Sequence, residues 1–550
     1  MTSTYNAIKD KLKDVVTTTN DIEELRATCH LLLNMLEELA GLNHKFTLEV
    51  QELRDEINHL KGEQGKPKFK PKLPPEDHSS EDERGRADDS NTGKAKKSKK
   101  KKHKIVVTRE SICTVDKSQL PADAVFKGYK SVLVQDIIIS SDNIEFKKEV
   151  YYSPSLGKSF MGELPSGYSG DYGPNVRALI LSLHNASNMT ESAIVEFLTT
   201  YGVLISSATV ARIILDGYAQ FKEDKKAIFE AGLSTTSYQH VDDTGAKING
   251  NRNYNHVLCN EFYTAYFTCP DKSRLTILEI LSGGNLKFQF DDKAYNLMRS
   301  LQLSSLAVSE LRAKINPAAK LNQVQLTSIL DELCPDSPRR RKIITEASAI
   351  SAYQSREDAI KILVCDDAPQ FKQITQDLAL CWVHEGRHYK KLTPLVPEYR
   401  EEVGVFLDKF WHYYRELLKF KIAPSEEKAQ QLSGEFDRIF SLPVQYRALA
   451  GCMNNTYTKK HELLTVLRYP EVPLHNNPAE HGARAQARKR DISFHTKTDI
   501  GTLAKDVMMT VVQTARKLQI NIHEYLHDRL SQAMQMPSLA DEILSRAFVT

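Results

Sequence analysis

What this sequence lacks narrows its class before any motif is read. Its eight cysteines are scattered from Cys29 to Cys452 with no CxxC pair. That spacing excludes a zinc ribbon and points to reduced thiols rather than a disulfide framework. The opening residues, MTSTYNAIKDKLKDVV, hold no apolar core of signal-peptide length, and no run reaches the roughly 18 apolar residues of a membrane span. A soluble, intracellular protein without a membrane partner is expected. A large net charge is also missing, since 74 Lys plus Arg stand against 71 Asp plus Glu. The charges are unevenly placed, however, and their placement matters more than their sum. At 550 residues and 41% apolar content, the chain should form several domains.

Residues 1–62 form the first of these, an oligomerisation helix. Within it, residues 21–61 repeat in heptads: Ile22, Cys29, Leu36, Asn43, Val50 and Ile57 make one set, and Leu25, Leu32, Leu39, Phe46, Leu53 and Leu60 the other. A period this strict predicts a coiled coil that joins at least two copies, with Asn43 setting register. An amphipathic helix lying on its own protein is the alternative. Residues 63–104 are too rich in Pro, Gly and charge to fold. They end in KAKKSKKKKHK, where Lys99, Lys100, Lys101 and Lys102 suit non-specific phosphate contact, although a solubilising linker would look alike. Residues 105–172 read as a small β-rich unit with IVVT, SVLVQDIII and EFKKEVYYSP as strands. In 173–232, three short helices have helix-turn-helix spacing for DNA binding, with Thr190 and Ser206 or Ser207 as caps and Gly202 in the turn, although many small helical bundles look the same.

From residue 233 the pattern changes. YQHVDDTGAKI, NYNHVLCN and FYTAYFTC predict an antiparallel meander, and KILVCDD a buried strand. A polar, helical interval at about 285–355 separates them within a segment running to 389. Residues 390–465 read as all-helical, and 466–550 as the closing helices. Asp242, Asp366 and Glu480 then make a carboxylate cluster suited to hard divalent cations. Two such ions about 3.5–4 Å apart clamp the attacking and leaving oxygens of a phosphodiester. Asp also serves in turns at strand ends, so the cluster has a bland alternative. In PLHNNPAEHGARAQARKR, Arg484 and Arg488 follow Glu480 at i+4 and i+8, with Lys489 and Arg490 next. These cations would hold phosphates beside the acids, or simply pair along the helix. Asn476 and Asn477 are placed to cap that helix.

HVDDT, LVCDDAPQF, CWVH, NNPAEHGAR with ARKRDISF, and NIHEYLHDRL occur in the order seen in bacterial DDE transposases. Over much of residues 175–530 the chain resembles the large catalytic transposase of the Insertion Sequence 66 family. The resemblance implies a multidomain α/β and α protein: a ribonuclease-H-like mixed five-stranded catalytic core, interrupted by a helical insertion, behind the coiled coil and helix-turn-helix. It implies Asp242, Asp366 and Glu480 as catalytic and metal-binding residues, using two Mg²⁺ or Mn²⁺ ions; zinc is not expected, because Cys381 and His384 alone, or Cys113 alone, do not make a zinc site. Asp243 and Asp367 would support their neighbours or, alternatively, be the true ligands, and Cys381 and His384 would be structural. Double-stranded transposon ends and target DNA, and in some relatives small accessory proteins, are the implied partners, in the bacterial cytoplasm at the nucleoid. The chain departs from the family in three places: only Cys113 where a zinc finger is common, His475 in place of Asp, and an apparent insertion that includes SPRRRK. Two other classes remain open, an inactive transposase-derived DNA-binding regulator and a structural coiled-coil protein.

Overall fold

The computed structural model describes residues 22–60, 106–116, 119–121, 123–316 and 319–548. Lys99, Lys100, Lys101 and Lys102 lie outside these. The chain divides into two compact units, one of residues 1–70, 146–199 and 204–550, the other of residues 71–145 and 200–203.

In the smaller unit the described residues form no strand, and Val106, Val107 and SVLVQDIII stay exposed. β-Branched residues favour strands only when cross-strand neighbours pack on them, and here none do. The expected β-rich unit is therefore reduced to one hairpin in the larger unit, β1 (Val150–Ser153) against β2 (Lys158–Met161).

The heptad region is a single helix, α1 (Ile22–Leu60). Its seam stays open, with Leu36, Leu39, Phe46 and Leu53 all 57–60% exposed. The helix is tied down instead by its other face. Asn34, not Asn43, is its buried asparagine: Nδ2 donates to Tyr399 Oη at 3.2 Å and to the Gln445 carbonyl at 3.1 Å.

Three helices follow where expected, α2 (Pro174–Asn185), α3 (Glu191–Thr200) and α4 (Ser207–Gly217). Ser206 caps α4 by accepting from Thr209 N–H, and Gly202 turns at φ +83°. Next come α5 (Lys222–Ser234) and then β3 (Tyr238–Ile248), β4 (Asn251–Cys259) and β5 (Thr264–Cys269), the expected meander. The interval up to residue 355 holds α6 (Arg274–Leu281), β6 (Phe288–Gln289), α7 (Asp292–Ser300), α8 (Ser305–Lys314), β7 (Lys320–Leu321), α9 (Gln323–Leu333) and α10 (Pro338–Gln354). β6 and β7 pair with each other, so this interval is not purely helical.

β8 (Ile362–Cys365) and β9 (Asp377–Leu380) return to the main sheet. Its order is β5-β4-β3-β8-β9, antiparallel on one side of β3 and parallel on the other. β8 is buried along its length, as a parallel strand covered on both faces must be. After α11 (Trp382–Lys390), the helices α12 (Pro397–Ile422), α13 (Glu426–Phe440), α14 (Arg447–Thr458) and α15 (Lys460–Leu463) form the expected all-helical insertion. Trp382 is fully buried among Phe410, Tyr413, Phe436 and Phe440. The chain closes with α16 (Asn477–Ser493), α17 (Asp499–Lys517), α18 (Ile522–Leu530) and α19 (Leu539–Ala547). Among the described residues no helix is long and apolar enough to cross a membrane.

Candidate active site

β3 and β8 run parallel with Tyr238 opposite Ile362 and His240 opposite Val364. The offset is 362 − 238 = 124, and 366 − 242 = 124, so the same register sets Asp242 level with Asp366, one residue past the end of β8. Adjacent strands lie about 4.8 Å apart and residues level across a parallel pair point to the same face. The two carboxyl groups interact accordingly. Burial pushes Asp242 up to about 7, with Asp366, Asp243 and Glu480 adding to the rise and the Asp243 N–H opposing it. Burial likewise raises Asp366, against a hydrogen bond from Ala368 N–H at 3.1 Å.

Glu480 reaches these acids because α16 is drawn tightly onto the sheet. A Cβ on Gly482 would stand 2.6 Å from Val257 Cγ1, and the Gly482 carbonyl accepts from Tyr266 Oη at 3.1 Å. Asn476 knits the start of the helix to the strand carrying Asp242. Its Nδ2 donates to the Val241 carbonyl at 2.8 Å, its Oδ1 accepts from His240 Nδ1 at 2.9 Å, and its backbone N–H donates to Cys381 Sγ at 3.3 Å. The expected side-chain cap is absent, because this amide is spent on β3. Asn477 is the first residue of the helix.

The second acid of each pair is occupied elsewhere. Asp243 accepts from Gln370 Nε2 at 2.7 Å and meets Lys272 at 3.5 Å. Asp367 pairs with Lys372 at 2.8 Å and Lys459 at 3.3 Å. Burial alone would raise Asp367, but these two lysines bring its carboxyl below the usual range. Lys459 also meets the buried Glu385 at 2.5 Å, tying the residue after Asp366 to α11 and the helical insertion.

On the basic face, Arg484 Nη2 donates to Glu480 Oε2 at 3.2 Å, and Arg488 is exposed. Arg490 reaches back to the Gly245 carbonyl of β3. Lys489 departs from the expectation, for it is buried and donates to the His184 carbonyl at the end of α2. It lies on the inner side of α16 and fastens that helix to α2. Sequence spacing gave no warning of this, because Lys489 sits between two cations of the outer face.

Arg387, unremarked in the sequence, joins the site from α11: Nη2 donates to Glu480 Oε2 at 3.4 Å and Nη1 to His384 Nε2 at 2.9 Å. Its i+3 spacing from His384, itself i+3 from Cys381, was the available signal. Among the described residues, the three side chains whose donor atoms all lie within 4.8 Å of one another are Cys381, His384 and Glu480. Asp242 and Asp366 stand outside that set.

A family model described as "Transposase IS66 family" matches residues 169–306 and 338–504. The chain belongs to the IS66 transposase family. The match spans α2 through α17, including Asp242, Asp366 and Glu480, and leaves out residues 307–337. This unmatched stretch carries most of α8, β7 and α9 and lies within the 285–355 interval. SPRRRK straddles its end and opens α10. The chain is also 32% identical over 306 residues, 55% of its length and 94% of the relative's, to a Sinorhizobium fredii (strain NBRC 101917 / NGR234) protein described as "Uncharacterized protein y4jO". The five-stranded mixed sheet flanked by helices is consistent with the ribonuclease-H-like core of such transposases.

Proposed function

We propose that this chain is a DDE transposase that cuts the ends of its element and joins the freed 3′-hydroxyl to target DNA. The observation that carries the reading is the register placing Asp242 level with Asp366, with Glu480 held over them by Asn476 and the close approach at Gly482. Family membership supports a polynucleotidyl transferase.

The acids fit divalent cations on their own chemistry. Three carboxyl groups interact within a largely buried site, Asp242 is pushed toward neutrality by burial with its acidic neighbours adding to the rise, and buried Glu480 Oε1 accepts no hydrogen bond. Such a cluster needs positive charge nearby for all its members to be ionised. Asp242, Asp366 and Glu480 would hold Mg²⁺ or Mn²⁺, which activates the attacking oxygen and stabilises the leaving one when bound. The protein's own groups do the rest. The Asp243 N–H at 2.8 Å holds Asp242 Oδ1, and the Ala368 N–H holds Asp366 Oδ1. Both aspartates thus present a fixed remaining oxygen. Arg484 and Arg488, on the exposed side of α16, would hold phosphates flanking the scissile bond. The lysine run 99–102 and helices α2–α4 would add DNA contacts outside the core, and the open α1 seam would join two copies so that paired ends are processed together. Small accessory proteins belong to the same proposal.

The test is strand cleavage and joining on DNA carrying the element's ends with Mg²⁺ or Mn²⁺. Asp242→Asn, Asp366→Asn and Glu480→Gln should each lose activity by at least about 10³-fold while still binding the ends, since a lost metal ligand removes transition-state charge stabilisation. Wild-type protein that binds the ends but never cuts them would turn the reading to a DNA-binding regulator.

A further inference from the structure

Glu480 sits under a set of side chains from α11 that neither its own helix nor the sheet supplies. His384 Nδ1 faces Glu480 Oε1 at 3.6 Å, and both atoms are buried with no hydrogen-bond partner. Two roles fit that geometry. His384 could join Cys381 and Glu480 as donors to one soft cation, or it could be a donor to the carboxylate. Arg387 decides between them. A guanidinium N–H only donates, so the 2.9 Å contact from Arg387 Nη1 makes His384 Nε2 the acceptor. A neutral imidazole with Nε2 as acceptor carries its proton on Nδ1, where it points at Glu480 Oε1 and has no lone pair for a metal. Cys381 is engaged as well, its sulfur accepting from the Asn476 N–H.

Resting on the triad assignment above, we propose that His384 and Arg387 are positioning residues for Glu480. Arg387 bridges His384 Nε2 and Glu480 Oε2, which fixes both the tautomer of the ring and one oxygen of the acid. His384 Nδ1–H then aims Oε1. A carboxylate oxygen has two lone pairs, so Oε1, facing His384 Nδ1–H across 3.6 Å, still has a lone pair for a cation. The C-x-x-H-x-x-R spacing of Cys381, His384 and Arg387 puts the three on one face of α11. That face serves as a seat for the third acid, built on the helix that directly follows β9.

The experiment measures Mn²⁺ binding to the full-length protein by electron paramagnetic resonance of the free ion, with zinc content, thermal stability and end binding measured alongside. His384→Ala should weaken Mn²⁺ binding by about 10–100-fold, the usual effect of removing a group that orients a ligand, with end binding retained. His384→Asn places an amide N–H near the position of Nδ1 and should restore most of the affinity, which a merely structural histidine would not allow. Glu480→Gln should weaken binding at least as much as His384→Ala. If His384→Ala binds Mn²⁺ like wild type while Glu480→Gln does not, the positioning role is overturned and the triad stands. If Glu480→Gln also binds normally, the triad assignment fails and takes this proposal with it. Stoichiometric zinc in the wild type, lost in both Cys381→Ser and His384→Asn, would overturn the proposal in favour of a Cys-His-Glu metal site.

Discussion

Neighbouring residues of near-identical chemistry take opposite roles here, and burial with partners separates them. Asp242 and Asp243 share one strand, yet only Asp243 is claimed by Gln370 and Lys272. Asp366 and Asp367 divide in the same way, through Lys372 and Lys459. Lys489 shows the converse, a cation placed where water cannot reach it. Burial, then the charge of Lys505, pulls its ammonium down to about 7 from an ordinary 10.5, with Glu191 opposing. Between those two values the unfolded chain binds more protons than the folded one, so stability rises with pH across that window and the burial penalty is fully present below it. Lys489→Met removes this term, although it also leaves the His184 carbonyl without its donor. The variant's Tm should therefore rise less than the wild type's between pH 7 and pH 10 in a fluorimetric melt. A parallel rise in both proteins would mean that Lys489 is not the group responsible.

At the scale of elements, the site depends on how closely α16 approaches the sheet. Gly482 is the point of contact, and the atom a Cβ would meet belongs to Val257, a β-branched side chain fixed in the core. Gly482→Ala should displace the helix, cost roughly 1–3 kcal/mol by overpacking and reduce cleavage more than end binding. Denaturant melts paired with the cleavage assay check this, and unchanged activity would show that Glu480 tolerates a shifted helix. α11 is placed with equal care, through Trp382 Nε1 donating to the Leu463 carbonyl at 2.9 Å and Trp382 N–H to the Leu474 carbonyl at 2.9 Å. The second of these ties the residue after Cys381 to the irregular segment that leads into α16. Helices α2–α4 follow their caps and turn as the sequence predicts; α2 is fastened to the closing helices by Lys489 and by Arg516 on the Ala186 carbonyl, and α5 by Tyr525 on Asp224.

For the whole molecule, α1 shows two faces with different tasks. One is locked to the helical insertion: Asn34 Oδ1 accepts from Arg447 N–H at 2.9 Å, and Glu37 accepts from the N–H groups of Leu395 and Val396 at 2.6 and 2.8 Å. These bonds satisfy donors at or just before the N-termini of α14 and α12, where helices leave N–H groups unpaired. The other face carries the exposed heptad seam, a stripe of leucines that water disfavours. Removal of residues 1–60 should convert an oligomer into single copies by light scattering, and a wild type that is already monomeric at micromolar concentration would refute the coiled coil.

Sequence periodicity by itself determined the heptad helix, the three capped helices, the meander and the apolar strand ending at Asp366, because those signals are local and repeat within a few residues. The ordered motifs identified the family for the same reason. Only the tertiary structure decided which acid of each Asp pair is free, since that depends on lysines and a glutamine brought from other elements. It turned Lys489 inward, made Asn34 rather than Asn43 the buried asparagine of α1, and brought Arg387 to Glu480 from 93 positions away. The described residues between 106 and 145 show the same limit from the other side. Their β propensity was legible, but a strand exists only where another strand supplies its hydrogen bonds, and for these residues the fold supplies none.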